Sequence, residues 1–432
     1  MTFYNRMQLV AYQVPTDKFY RKNEQSPEVR LPAGPACAIK SKLLDGMLDS
    51  MKAQLSADAF SRVMRMIAVA ERASESLAID PVPNTLKLFM APEFYFRPEQ
   101  EGGESWSYKP EEQALIMKAL ALVFSDPKYA SWLFVFGTIT SHETIGDFVK
   151  RVPNFPDPSR LPKMALKALL VWNTAIIVEG GVNKPIALKK LHYSGADDIS
   201  RKFWPEFTND NYTNLDVRLK NEYRVTAQDY LVMSKKNGQA ESIIPVGDNL
   251  TLGVEICMDH AIGVVAQAFE EQQKYGRLDA QLVTSCGMRV AERSLVIGEK
   301  QFVFKMDGAS TTAADWNPPW NASEIQTVIG WTNDQTPIAS SINNLEQESD
   351  RKKAAWKQLN AIDEAIELKA PLKLDTGTLQ ACHYSSSGPD QQVAQMVPVD
   401  EACPQKLLVY HPVNLGSAVA QLVTDANAVS GN

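Results

Sequence analysis

Short apolar runs of strand length, separated by amphipathic helical segments, are the feature that most constrains the fold of this chain. "MQLVAYQV" (Met7–Val14) predicts a first buried strand. The segment Ser56–Ala78 predicts a helix, because its apolar residues recur at intervals of three and four on one face. "TLKLFMAPEF" and "WLFVFGTIT" predict two further strands, with a helix over Lys109–Asp126 between them. Strands that alternate with helices indicate an α/β layered fold.

Antiparallel hairpins are mixed into this alternation. The segments Ala168–Gly181 and Lys184–Ser194 are typical of two strands joined by a glycine turn. "SIIPVGDNLTLGVEIC" repeats the strand–turn–strand pattern, and a helix over Gly263–Gly276 and a strand in "DAQLVTSCG" follow it. The sheets are therefore predicted to be mixed.

The last third of the chain has a different character. Its segment 315–344 is rich in aromatic residues, Pro and Asn and has weak periodicity. Farther along, Glu348–Ala370 predicts a helix and Gln405–Leu415 predicts a late strand. The sequence gives no clear sign of a separate domain here.

Composition excludes several classes of protein. Of the 432 residues, 44% are hydrophobic and 22% are charged, which is typical of a soluble globular protein. The formal net charge is −7, whereas a nucleic-acid-binding face needs clustered Lys and Arg, so we expect no nucleic-acid partner. Because neither a run of about 18 apolar residues nor a signal-peptide pattern occurs, we expect no membrane association and a cytoplasmic location.

The cysteines and histidines indicate neither a disulfide framework nor a local metal site. Five cysteines, an odd number, are widely scattered, which fits a reducing compartment. The five histidines are far apart, and the sequence contains no C-x-x-C pair and no H-E-x-x-H motif. We therefore predict no metal site.

Three reactive side chains lie at or just past the ends of predicted strands. Glu93 follows "LFMAP", Lys190 ends "PIALKK", and Cys257 ends "LGVEIC". Taken singly, they also fit an acid in a surface turn, a solvated lysine and a buried core cysteine. Because a layered α/β fold exposes its chemistry at strand ends, the three together predict a catalytic set.

Four sequence blocks, in the same order along the chain, resemble the nitrilase superfamily of carbon–nitrogen hydrolases. "LFMAPEFYF" is similar to the family strand with a P-E dipeptide, and "VWNTAIIVEGGVNKPIALKKLHY" to the run in which an N-[ST]-A strand leads to K-x-H. "NLTLGVEICMDH" resembles the G-[VI]-x-I-C-x-[DE] block, and "RLDAQLVTSCGM" the strand after the nucleophile helix. The resemblance runs from about Met7 to Met288.

The resemblance implies an α/β fold built as a four-layer α-β-β-α sandwich of two mixed sheets. Because the family core is much shorter than this chain, we expect insertions at about 15–50 and 195–240 in a hydrolase domain of residues 1–310. An atypical C-terminal extension, 311–432, is expected to pack on the same domain. Family members pair through a helical face, so a homodimer or a higher homo-oligomer is expected.

The resemblance also implies a role for each member of the set. Cys257 is the nucleophile, and its thiol needs a base because the free pKa of cysteine is about 8.5. Glu93 takes the thiol proton and later gives it to the departing nitrogen, while Lys190 stabilises the tetrahedral intermediate. The backbone N–H of Met258 is a candidate second donor to the oxyanion. This chemistry requires no metal and no organic cofactor.

Family members often use a second glutamate between the lysine and the cysteine. The candidates here are Glu206, Glu222 and Glu241. Glu206 is favoured because aromatic residues flank it in "FWPEF", although a surface acid fits the same pattern.

Four further residues around the motifs have predicted roles. Asp259 is expected to bond backbone near the nucleophile turn, and His192 and His260 to support the site without taking part in the chemistry. Arg97 fits either a solvated side chain or a partner for a substrate carboxylate.

The substrate class is open at the level of the sequence. An amide is favoured over a nitrile, because the nitrile-hydrolysing branch usually has a tryptophan after the nucleophile and this chain has Met258. An N-acyltransferase, a nitrile hydrolase and a catalytically inactive nitrilase-like binding protein are the alternatives. The expected partner is a small-molecule amide or nitrile.

Overall fold

The computed structural model of the chain describes thirteen segments. These are residues 2–14, 16, 53–98, 107–144, 146–147, 150, 169–191, 241–272, 278–309, 323–331, 337–341, 362–368 and 405–415. The predicted insertions at about 15–50 and 195–240 lie almost entirely outside the described residues.

The described strands and helices are numbered along the chain. The strands are β1 (Arg6–Gln13), β2 (Thr85–Met90), β3 (Trp132–Thr144), β4 (Leu169–Glu179), β5 (Pro185–Lys189), β6 (Ile243–Val246), β7 (Leu250–Ile256), β8 (Leu278–Ser285), β9 (Ile297–Asp307), β10 (Ser323–Trp331), β11 (Pro337–Ser341), β12 (Ile362–Leu368), β13 (Gln405–Tyr410) and β14 (Val413–Asn414). The helices are α1 (Ala57–Ser74), α2 (Pro110–Phe124), α3 (Met258–Ile262) and α4 (Val264–Gln272).

These strands form two mixed sheets, which confirms the predicted α/β class. In the described residues the larger sheet has the order β12-β13-β1-β2-β3-β4-β5, with β14 beside β1, and the smaller has the order β11-β10-β9-β8-β7-β6. The centre of each sheet is parallel, β1-β2-β3 in one and β7-β8-β9 in the other. Antiparallel hairpins complete the sheets, β4-β5 in the larger and β6-β7 in the smaller.

One hydrophobic cluster joins the two sheets. It contains Leu88 and Val135 from the larger sheet and Val254, Leu282 and Phe304 from the smaller sheet, all buried. We call it the inter-sheet cluster. Because side chains alternate along a strand, alternate residues of β2, namely Leu86, Leu88 and Met90, enter it.

Helices pack against each of the two sheets. In α1, Val63, Ile67 and Ala70 are buried in a second cluster that also includes α2 and the larger sheet. Ser56 caps α1 by accepting the N–H of Ala59 at 3.3 Å. A third cluster packs Val265 of α4 against the smaller sheet.

In the last third of the chain, one prediction is wrong and one pair of strands was not predicted. The helix predicted over residues 348–370 is wrong at residues 362–368, which form β12 and pair antiparallel with β13, Ile366 opposite Leu407. The hairpin β10-β11 was not predicted, because the surrounding composition hides its alternation. In both cases partners in the folded sheet decide the conformation, and a local pattern does not contain them.

Strands on both sides of residue 310 share the two sheets. The strands β12 and β13 extend the larger sheet beyond β1, and β10 and β11 extend the smaller sheet beyond β9. A domain boundary near residue 310 stays a prediction. In the described segments, no helix has both the length and the apolar character needed to cross a membrane.

Substitution of Leu88 tests whether the inter-sheet cluster is the core between the sheets. Its side chain is fully buried between the sheets, so Leu88→Ala should lower the free energy of unfolding by about 2–5 kcal/mol, through lost burial and a residual cavity. Leu77 is a fully exposed leucine, and Leu77→Ala should stay within about 0.5 kcal/mol of the wild type. Urea unfolding measures both, and equal effects would contradict the assigned core.

Candidate active site

A strained turn re-aims the Cys257 side chain. In β7 the side chains of Val254 and Ile256 enter the inter-sheet cluster, whereas Glu255 faces α4. Alternation alone would put Cys257 on the side of Glu255, yet Cys257 belongs to the inter-sheet cluster. Its backbone has φ 47° and ψ −108°, a conformation that non-glycine residues rarely adopt. Strained strand-to-helix turns of this kind present the nucleophile in enzymes of the α/β-hydrolase fold.

The loop that carries Glu93 is fixed by backbone hydrogen bonds. The N–H of Glu93 donates to the carbonyl oxygen of Ser285 at 3.3 Å, and the N–H of Phe94 donates to Oγ1 of Thr138 at 2.8 Å. Phe94 has φ 64°, so the chain turns sharply just after the glutamate. The loop is therefore bound to β3 of the larger sheet and to β8 of the smaller sheet.

Glu93 and Lys190 form a buried ion pair. Nζ of Lys190 lies 2.9 Å from Oε1 of Glu93, and both side chains are 0% exposed. Nδ2 of Asn173 donates to the same oxygen at 2.9 Å. The N–H of Lys190 donates to the carbonyl oxygen of Asn173 at 2.8 Å, which ties the end of β5 to β4. A buried carboxylate is costly unless it is paired and hydrogen-bonded, and both conditions hold here.

Hydrogen bonds connect the segment of Cys257 to the two segments that carry this pair. The N–H of Cys257 donates to the carbonyl oxygen of Thr284 at 3.0 Å, and the next residue, Ser285, accepts from Glu93. On the other side, the N–H of Leu191 donates to the Asp259 carboxylate at 2.9 and 3.1 Å. Cys257 is thus connected to the Glu93 loop through β8 and to the Lys190 strand through α3.

Of the other predicted site residues, the structure describes some, and the rest lie outside the described residues. Met258 is the first residue of α3, and Asp259 is buried with its carboxylate on the Leu191 backbone. His192 and Glu206 lie outside the described residues, as does Glu222. Glu241 is exposed.

Arg97 is not a solvated side chain. It is buried, and its guanidinium carbon lies 4.8 Å from the centre of the Phe94 ring. Nζ of Lys190 lies 5.9 Å from the centre of the same ring, so the ring lies close to two cations. The expectation of a solvated arginine is therefore wrong.

A buried network that the sequence did not reveal supports the Cys257 turn. The Glu255 carboxylate accepts hydrogen bonds from Nδ1 of His260 at 2.6 Å, from the N–H of Val265 at 2.9 Å and from Nε2 of Gln281 at 2.7 Å. The Ala291 N–H donates to Nε2 of His260 at 2.9 Å. Both ring nitrogens of His260 are occupied, in the tautomer with the proton on Nδ1. The network connects Glu255 and His260, which lie on either side of Cys257 in the sequence, to β8 and α4.

A second carboxylate fixes the loop after β8. Asp307 accepts from the hydroxyl of Ser285 at 2.6 Å and from the N–H groups of Gly287 and Met288 at 2.9 and 3.0 Å. The carbonyl oxygen of Ser285 is also the acceptor for Glu93. Asp307 therefore restrains the segment against which the Glu93 loop is held.

The helix α1 supports the Glu93 loop from the outer side. Nη1 of Arg62 donates to the carbonyl oxygen of Tyr95 at 2.8 Å, and the Tyr95 hydroxyl donates to the carbonyl oxygen of Arg62 at 3.2 Å. Burial raises the pKa of Tyr95 well above its usual value, so the phenol keeps the proton that it donates. The Asp58 carboxylate pairs with Arg62 at 2.9 Å.

Metal binding has no support in the described segments. No group of three or more His, Cys, Asp and Glu side chains there is arranged to hold an ion.

Comparison with known proteins gives distant likenesses in structure alone. No protein-family model and no curated protein matches the chain. Among solved structures it is similar to a glutamine-dependent NAD+ synthetase from Acinetobacter baumannii in complex with ADP, at a TM-score of 0.31 and 11% sequence identity. The likeness covers 78% of this chain and 41% of that chain. A likeness this weak assigns neither a family nor an activity.

Gly137 allows the close approach that positions the Glu93 loop. It has φ +73°, and a Cβ atom there would lie 2.1 Å from the carbonyl oxygen of Pro92. We expect Gly137→Ala to cost more than about 1 kcal/mol of stability and to displace Glu93. Alkylation of Cys257 by iodoacetamide should slow at least about tenfold, if Glu93 activates the thiol.

Gly181 provides the matched control. It has φ +80° in the turn between β4 and β5, but an added Cβ would make only ordinary contacts, 3.4 Å or longer, with Ala130. Gly181→Ala should therefore lose stability without slowing alkylation. Urea unfolding and alkylation rates measure both variants. Equal loss of alkylation rate in the two would refute the role of the close approach.

Proposed function

We propose that the chain is a carbon–nitrogen hydrolase of the nitrilase superfamily, in which Cys257 attacks an amide-type substrate and forms a thioester. The observation that carries the proposal is the buried Lys190–Glu93 pair, 2.9 Å apart, tied by backbone hydrogen bonds to the strained turn of Cys257. The three side chains supply a fixed positive charge, a proton acceptor and a nucleophile at neighbouring strand ends.

The architecture supports the same proposal. Three hydrophobic clusters link helices to the larger sheet, the two sheets to each other, and the smaller sheet to α4. We propose that they make a four-layer α-β-β-α sandwich of the nitrilase type. Pairing of two copies through a helical face and a cytoplasmic location stay predictions.

In the first step the negative charge moves while Lys190 stays in place. Glu93 accepts the Cys257 proton and becomes neutral, and the thiolate attacks the carbonyl carbon. Lys190 loses its anionic partner as the carbonyl oxygen becomes negative, so its charge becomes available to the oxyanion. The N–H of Met258 is the second proposed donor, and one such donor contributes on the order of 3 kcal/mol.

Protonated Glu93 then completes the reaction. It donates its proton to the departing nitrogen, the carbon–nitrogen bond breaks, and the acyl group remains on the Cys257 sulfur. Glu93 next removes a proton from water, and the hydroxide attacks the thioester carbon. When the thiolate is expelled, it regains the proton from Glu93, and the acid product leaves.

An amide is the preferred substrate in this proposal. Amide cleavage expels an amine, and Glu93 carries a proton for that nitrogen after the first step. Met258 occupies the position where the nitrile-hydrolysing branch of the family usually has a tryptophan. We propose a small-molecule amide as the substrate class.

The test uses one carbon skeleton offered as a primary amide and as a nitrile. Ammonia release should be faster from the amide at equal occupancy. Cys257→Ala and Cys257→Ser should fall below about 1% of wild-type release, because neither variant provides a thiolate.

Cys286→Ser is the matched control, because it removes a second described thiol, one that has no role in the proposed reaction. It should keep wild-type release. Faster release from the nitrile would overturn the amide assignment alone. Substantial release by the Cys257 variants would overturn the nucleophile and with it the proposed reaction.

A further inference from the structure

We propose that Asn173 is a positioning residue that orients the Glu93 carboxylate and favours its ionised form, so that it can accept the thiol proton. This inference rests on the proposed function and adds a residue to it. Asn173 is a positioning residue because it acts on Glu93 and Lys190 and not on the substrate.

Asn173 is a polar residue on the face of β4 whose next residues are apolar. On β4, Ala175 and Ile177 have the same alternation and lie in the inter-sheet cluster, so Asn173 faces the space between the sheets as they do. Ile176 and Val178 face the helices. An Asn inside a buried strand is unfavourable in itself, and its place on this face coincides with the Glu93 carboxylate.

Asn173 bonds to both residues of the pair. Its side-chain amide donates to Oε1 of Glu93 at 2.9 Å, and its backbone carbonyl oxygen accepts the backbone N–H of Lys190 at 2.8 Å. Asn173 is buried, so these bonds form away from bulk water. A shift of β4 at this position would move Glu93 and Lys190 together.

Two donors on one oxygen fix the rotation of the carboxylate. Nζ of Lys190 and Nδ2 of Asn173 both bond Oε1 of Glu93. Oε1 thus accepts two hydrogen bonds, and in the proposed reaction Oε2 is the oxygen that receives the thiol proton. Without Asn173, Lys190 alone would not define this orientation, since an ammonium group has no fixed plane.

The amide donor also affects ionisation. A hydrogen bond to a carboxylate stabilises the charged form, and the Asn amide gives it at every pH because the amide does not titrate. Among the described residues, the charged or titratable groups around the Glu93 loop include Lys190, Cys257, Arg97, Asp259 and Asp307, together with Tyr95 of the loop and the Arg62–Asp58 pair of α1. Of these, Lys190 bonds the carboxylate directly, so the amide is the neutral part of its support.

The experiment measures alkylation of Cys257 by iodoacetamide across pH in the full chain. The rate should rise with pH as Glu93 ionises. Asn173→Ala and Asn173→Ser should move the midpoint of this rise upward by about one pH unit, because the carboxylate loses a donor. Asn173→Asp should move it farther, because a second carboxylate opposes ionisation.

Trp172→Phe is the matched control on the same strand. Trp172 is the preceding residue on β4; its Nε1 donates to Glu143 at 2.9 Å and its ring lies 4.2 Å from Nζ of Lys189. This variant should leave the midpoint unchanged. Thermal unfolding checks that each variant folds. If Asn173→Ala does not fold, the nearly isosteric Asn173→Asp provides the measurement.

Glu93→Gln separates failure of this inference from failure of the proposed function. If Glu93→Gln moves the rise to the higher pH of an unassisted thiol, toward the free cysteine pKa of about 8.5, while the folded Asn173 variants keep the wild-type midpoint, the inference is overturned and the proposed function stands. If Glu93→Gln also keeps the wild-type profile, Glu93 does not activate the thiol and both are overturned. A shift in the Asn173 variants and none in Trp172→Phe supports the inference.

Discussion

The buried ion pair between Lys190 and Glu93 is the interaction on which the rest of the site depends. Removing two charges from water costs several kcal/mol, and that cost is offset only if the geometry is good and other donors complete the pair. Here the carboxylate is 2.9 Å from the ammonium group and 2.9 Å from the Asn173 amide. Loss of either charged partner would leave the other buried and uncompensated. The pair also explains why β4 carries a buried polar residue, Asn173, which donates to Glu93.

The surrounding scaffold restrains the segments that carry this pair and Cys257. Gly137 lets the Glu93 loop approach β3 closely, and the positive φ of Cys257 turns the thiol toward the inter-sheet side. Glu255 and Asp307 each satisfy three or more donors, and so hold the segments on either side of the site. Strain at Cys257 persists because these bonds restrain its neighbours.

Sequence reasoning predicts the parts of this structure that have local signals. Strand-length apolar runs and strand ends locate Glu93, Lys190 and Cys257, and the central strands and the first two helices fall where periodicity places them. It fails where distant partners decide, as in β12, which pairs with a strand about 40 residues away and has a helix-like sequence. The contact of Asn173 with Glu93 joins residues 80 positions apart, which no local pattern encodes.

The most direct measurement is the mass of the acyl-enzyme. The protein is mixed with a primary amide substrate, quenched in acid during turnover, digested and analysed by mass spectrometry. The account predicts one acyl group, added with loss of one hydrogen, on the peptide that contains Cys257, and no such adduct in Cys257→Ala. An acyl group on another residue, or continued turnover after Cys257 has been fully alkylated, would contradict it.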